Sequence, residues 1–404
     1  MRFALAAALV CAAALAAERP PVEEAWDLVA KGNRPEAVRL LRKIIQSNPR
    51  DADARLLLGS LLQEAGQRDE CLEQLHAAVQ LRPNSAEAQN ALGEAYTTFG
   101  ESQKARGPFE RAVALDPRLA AARVNLGLLL LEAGDAKAAV IHLDRAIALL
   151  GHSQDAAYPL YLRAKIYSEH EQTDKAAAAL AEAVSLRPDF GEAWSDLGNA
   201  RKTLGDDAGA IAAFRRAVEI NPEDAVAQTR LGAAYLAQGK AHLAVPCFQA
   251  AVRLAPSDQS ALNGLQRALR EDGQEQQADE VKKKLTELLR AKDKADQNAL
   301  AAIRINNQGA DLEKSGHLRA ALEKYRAAHE LDPNHVGIQV NYAVAMLRLG
   351  QWKDGLALLR DAARRQPGDA VLKAALEDAL TQAPVEFGGK GQTRSPGARG
   401  GARY

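Results

Sequence analysis

The amino-acid sequence predicts an all-α solenoid of about ten helix–turn–helix units, and three observations carry that prediction. Prolines stand 34 residues apart at Pro49, Pro83 and Pro117, again at Pro188, Pro222 and Pro256, and again at Pro333 and Pro367. Small residues keep the same beat at Ala37, Cys71, Ala105, Ala139, Ala176, Ala210, Ala244, Ala278, Ala321 and Gly355. Both ladders slip together, by three residues after the fourth unit and by nine after the eighth. The composition agrees: 47% of residues are hydrophobic but only 4% are aromatic, so alanine and leucine supply the apolar surface, which suits closely packed helices.

Each unit can be justified from its residues. In the third copy the spacing predicts a first helix over 86–98, with Ala88, Leu92, Ala95 and Tyr96 at helical intervals and Phe99 just beyond. Gly100 ends it, because glycine readily takes the left-handed conformation at a helix C-terminus. A second helix begins at Glu101 and lays Ala105, Phe109, Ala112 and Val113 on one face. Asp116-Pro117 stops it, since proline cannot continue the hydrogen-bond ladder. Gly93, Ala105 and Ala112 allow close approach, while Leu92, Tyr96 and Phe109 fill the space around them. One such hairpin cannot bury its apolar face alone, but a stack makes a continuous core.

These residues resemble the tetratricopeptide repeat family. Its pattern has a large residue at position 4, Leu-Gly or Leu-Ala at 7 and 8, Tyr at 11, Ala at 20, an aromatic at 24, Ala at 27 and Pro at 32. Trp194, Leu197, Gly198, Ala210, Phe214, Ala217 and Pro222 match in one copy. Leu231, Gly232, Tyr235, Ala244, Phe248, Ala251 and Pro256 match in the next, and Leu92, Gly93, Tyr96, Ala105, Phe109, Ala112 and Pro117 in a third. The resemblance spans about residues 18–369. It implies a right-handed superhelical solenoid whose first helices line a concave, protein-binding face.

The departures divide the chain. Residues 18–258 read as seven copies, 259–301 as a degenerate copy followed by a long-helix junction, and 302–369 as two further copies. The eighth copy keeps Ala278 but has Lys282 and Arg290 in place of the aromatic and the proline, so 276–315 reads as one or two long, highly charged helices. Residues 370–383 read as a capping helix, and 384–404 as a disordered Gly/Arg-rich tail. Residues 1–17 carry the pattern of an export signal: Arg2, an apolar run to Ala17, and Ala14-Leu15-Ala16 as a cleavage site near Ala16/Ala17. An uncleaved anchor or a later true start is the alternative. Val10 before Cys11 argues against lipoprotein processing. The expectation is a periplasmic or extracellular protein with no membrane span in its mature form.

Charge and motifs exclude several functions. Lys+Arg and Asp+Glu both number 52, which gives no reason to expect nucleic acid as partner. The one Arg-Gly-Gly, at 399–401, reads as part of a solubilising tail. The histidines are scattered, and His329-Glu330 has no second histidine at metalloprotease spacing. Cys71 and Cys247 stand five copies apart, too far for a disulfide. The non-repeat segments are too short for an enzyme domain, so neither catalytic residues nor a cofactor or metal is expected.

The resemblance places binding residues at positions 2, 5, 9, 12 and 13 of each first helix. In copies four to six these include Val124, Leu128 and Leu131, then Tyr158, Tyr161 and Lys165, then Asn199. Tyr158 and Tyr161 occupy none of the core positions and adjoin aliphatic neighbours, the composition that interface hot spots favour. Two readings stay open for them: a peptide- or protein-binding patch, or coverage by the three inserted residues. The chaperone-binding clamp of the family needs Lys and Asn where copy three has Asn90 and Glu94, so Asn125 at the next site does not complete it and carboxylate recognition is not expected. The function read from the sequence is an exported scaffold or adaptor without catalysis. The alternative is an accessory subunit of a secretion, polysaccharide or cell-wall enzyme complex.

Overall fold

The structure, a computed structural model, describes residues 21–384 and Phe387. The export-signal segment and nearly all of the C-terminal tail lie outside the described residues. Among those described there are twenty α-helices, one short 3-10 turn and no strand.

The helices come as consecutive hairpins: α1 (Pro21–Ala30) with α2 (Arg34–Ser47), α3 (Ala52–Glu64) with α4 (Arg68–Leu81), α5 (Ala86–Thr98) with α6 (Ser102–Leu115), and α7 (Ala120–Glu132) with α8 (Ala136–Leu150). After the turn Gln154–Ala156 follow α9 (Ala157–Glu169) with α10 (Thr173–Leu186), α11 (Gly191–Thr203) with α12 (Asp207–Ile220), and α13 (Ala225–Ala237) with α14 (Ala241–Leu254). Then come α15 (Gln259–Glu271), the 40-residue α16 (Glu275–Lys314), α17 (Leu318–Leu331), α18 (Val336–Arg348), α19 (Trp352–Arg365) and α20 (Ala370–Gln382). The chain divides into two compact units between Ala278 and Asp279, inside α16.

In the first unit, packing is closest within each hairpin, next between a second helix and the following first helix, and lightest between successive first helices. The core explains the small-residue positions. A Cβ on Gly93 would stand 2.5 Å from the Phe109 ring, and one on Gly198 would stand 2.5 Å from Phe214. Only a residue without a side chain lets those rings lie flat against the first helix. Phe109, Phe214 and Phe248 are almost wholly buried, and Cys71 is buried at the small-residue position that Ala105 and Ala210 hold in their copies. Burial pushes the Cys71 thiol up to about 11, so it packs as a small apolar group.

The proline ladder has a structural partner. Each proline ends its unit, and at five of them the proline carbonyl accepts a hydrogen bond from the side chain six residues on, at position 4 of the next copy. Arg55 donates to Pro49 (2.9 Å), Arg123 to Pro117 (2.7 Å), Trp194 to Pro188 (3.0 Å), Gln228 to Pro222 (3.3 Å) and Gln339 to Pro333 (2.6 Å). The carbonyls that no helix can use are thereby satisfied, and successive copies are pinned. The last residue of a copy frequently caps the next helix: Asp51 accepts from Ala54, Ser85 from Ala88 and Asp224 from Ala227. The turn inside each hairpin falls at a left-handed glycine, including Gly100, Gly134 and Gly205; in the fifth copy that position is held by Glu171, at φ 58°.

The three-residue slip has a place as well. α8 runs on to Leu150, Gly151 turns the chain at φ 58°, and Gln154–Ala156 packs against α8, α9 and α10. Ala156 and Ala157 are completely buried there. Pro246 is accommodated within a continuous α14.

In the second unit α18, α19 and α20 share a core around Leu347, Leu356, Leu359 and Leu372. Tyr325 is buried against Gly309 and donates to Glu313 at 2.7 Å; Glu313 also pairs with Arg348. In α16 every residue from Leu289 to Gln297 is exposed. No described helix is long and apolar enough to cross a membrane.

Candidate protein-binding surface

The face built by the first helices carries a second period, 35 residues rather than 34. It joins position 5 of one copy to position 6 of the next, because parallel neighbouring helices meet on a diagonal. Asn125 donates to Asn90 (3.0 Å), Arg230 to Ser195 (2.7 Å) and, in the second unit, Asn341 to Asn306 (3.0 Å). Tyr161 faces Asp196 in the same register, and the two groups shift each other's pKa.

Between the fourth and fifth copies this rung is apolar. Val124 holds position 5 and Leu162 position 6, and both belong to one cluster with Leu126, Leu130 and Ile166. Val124, Leu128, Leu131, Tyr158 and Tyr161 all pack on that cluster while remaining partly exposed. The structure thus brings five of the sequence-derived candidates onto one patch. The inserted turn packs on α8, α9 and α10.

The tyrosines differ. Tyr161 lies 5.0 Å from the Phe190 ring centroid, and its hydroxyl faces Asp196; burial, then Asp196, pushes its pKa up to about 12. Lys165 extends over it, 5.9 Å from the ring centre, and is itself exposed. Tyr158 packs on the clusters of both adjoining copies, and burial followed by the charge of Glu132 raises its pKa. Asn199 lies one copy further on, half-buried and outside both clusters.

Two half-buried carboxylates sit on this face. Asp196 is raised by burial and drawn back by Arg230, Tyr161 and Lys165; the Arg230 guanidinium stands 3.6 Å away. Glu94 is raised by burial and drawn back by two amides alone: Asn125 donates to Oε1 at 2.7 Å and Asn90 to the same oxygen at 2.9 Å. Reading the family pattern for known clamp residues passes over Asp196 and meets Glu94 only as a mismatch. The signal that would find Asp196 is the pairing of polar residues at positions 5 and 6 across a 35-residue step; Glu94 is reached from the Asn90–Asn125 rung, one turn along its own helix. Among the described residues no three or more His, Cys, Asp or Glu side chains are grouped to hold a metal ion.

Stacked hairpins with small-residue seams, proline-ended second helices and a diagonal ladder on the first helices define a helical-repeat scaffold. The chain belongs to the tetratricopeptide repeat family, whose profiles match residues 28–95 and 312–379 in one form and 99–154, 161–225 and 229–280 in another. Repeats of this family serve protein–protein interaction, and at that level the chain is an interaction scaffold. No curated protein matches it. Among solved structures it is similar to pilF of Pseudomonas aeruginosa, at 18% identity over 54% of this chain and 98% of that one, with a TM-score of 0.49. It is also similar to YrrB, described as a TPR protein with an unusual peptide-binding site, at 21% identity over 48% of this chain and 97% of that one, with a TM-score of 0.42. At these values the likenesses carry no functional argument.

Proposed function

We propose that this chain is an exported, non-catalytic scaffold that holds a segment of another protein on the first-helix face of copies four to six. One observation carries the reading: Val124, Leu128, Leu131, Tyr158 and Tyr161 converge on one partly exposed patch where the polar ladder is interrupted. Tyrosine beside aliphatic side chains buries large area at low entropic cost, as interface anchors do. Lys165 and Asn199 flank the patch. Export rests on the apolar run and small-residue cleavage pattern of residues 1–17.

Site-specific photo-crosslinking in cells tests the binding reading. A crosslinker at Leu128 or Tyr158 should trap a protein that one at Ile141, 68% exposed on a second helix, does not. Adducts at Ile141 with none at Leu128 would overturn the reading. The mass of the purified protein tests export separately, since cleavage removes the first 16 or 17 residues.

A further inference from the structure

The Glu94 carboxylate has an unfilled side. Both amides address Oε1, and among the described residues Oε2 accepts no hydrogen bond and no Lys or Arg pairs with the group. Oε2 is not fully buried and stays open to solvent. Asn125, which holds Glu94, lies next to Val124 in sequence and one turn from Leu128 on the same helix. The carboxylate is therefore anchored at the foot of the apolar patch.

The surroundings have one sign. Positions 2, 5, 9, 12 and 13 of copies three and four hold Glu87, Glu94 and Glu132 and no Lys or Arg. A partly desolvated anion beside an apolar surface, without an internal counter-charge, is stabilised by a cation that arrives with apolar flanks. Asp196 lacks that vacancy, because Arg230 and Lys165 already face it.

We propose that Glu94 is the specificity-determining residue of the patch, pairing through Oε2 with a lysine or arginine that a partner segment carries next to apolar residues. The inference rests on the patch being a peptide-binding surface. It commits the partner to a basic–apolar segment, opposite in charge to the C-terminal carboxylate that the family's chaperone clamp recognises.

The test is selection of a random 12-residue peptide library on the full chain, on Glu94→Gln and on Asp196→Asn, followed by affinity measurement of the selected peptides. Glu94→Gln keeps the shape and the Oε1 acceptor, and circular dichroism checks that each variant folds. The expected result is enrichment of Lys or Arg beside Leu, Phe or Tyr on the wild type and on Asp196→Asn. Glu94→Gln should lose the preference for the cation and weaken binding of those peptides about tenfold. Enrichment of apolar peptides without a cation, of acidic peptides, or of the same cationic peptides on Glu94→Gln would overturn the inference while leaving the patch intact. No enrichment on the wild type would overturn the patch and the inference together.

Discussion

The third and fourth copies, joined by the Asn90–Asn125 rung that holds Glu94, and the fifth and sixth, joined through Asp196, use the same diagonal to opposite electrical ends. At Asp196 the chain supplies its own cation and a tyrosine hydroxyl, so the carboxylate is spent on fixing one helix to the next. At Glu94 it supplies only neutral amides, so the group is positioned but not neutralised. The same buried carboxylate can therefore be a strut or a receptor, and what decides is whether a cation stands within reach on a neighbouring helix.

The comparison can first be sharpened in the core, where the two regions should not differ. Gly93→Ala and Gly198→Ala each drive a methyl into a phenylalanine ring, and each should cost about 2 kcal/mol in urea unfolding. Unequal losses would show that the difference lies beneath the face rather than on it.

The carboxylates themselves should respond with opposite signs. Asp196→Ala removes the ion-pair partner of Arg230 and the carboxylate that faces the Tyr161 hydroxyl, and should destabilise by about 1–2 kcal/mol, tempered by the partial exposure of the pair. Glu94→Gln should be neutral or stabilising at pH 7. Burial raises the Glu94 pKa, so the folded chain binds that proton more tightly than the unfolded chain does. Stability from this group is complete at low pH and is lost as pH rises from the ordinary glutamate value through the folded one. The advantage of Glu94→Gln should accordingly fade as thermal melts are moved from pH 7 to pH 4. A loss at pH 7 equal to that of Asp196→Ala would erase the distinction.

A smaller effect separates the hairpin turns of the same regions. The fifth copy places Glu171 where the others place glycine, in a conformation that costs an L-residue roughly 1–2 kcal/mol. Glu171→Gly should stabilise by about 0.5–1 kcal/mol once the added freedom of the unfolded chain is subtracted. Hydrogen exchange at the α9–α10 turn should slow in that variant; faster exchange would mean that Glu171 is held by contacts worth more than its strain.

The helical-repeat fold was readable because it rests on features with a period: glycine at the turns, proline at the ends and alanine at the seams all recur every 34 residues. The bounds of α5 follow from Ala86 and Gly100 alone. The face was less legible. Tyr161 stands out in sequence as a surplus aromatic, yet its hydroxyl faces Asp196, and only the 35-residue diagonal reveals that pairing. Glu94 and Asn125 appear in sequence as a failed clamp, because charge sign can be read from a residue type whereas burial and the side from which an amide approaches cannot. Glu171 carries no sequence signal beyond the absence of glycine from the beat.

The bonds from position 4 to the preceding proline carbonyl bear on how the chain takes load. Each fastens one copy to the copy just before it, and the diagonal rungs reach only as far. A pull on the two ends therefore meets many weak latches in series rather than one strong clamp. Such a chain pays out hairpin by hairpin, each freeing roughly 110–120 Å of contour, and takes the slack up again in the same increments when the tension drops.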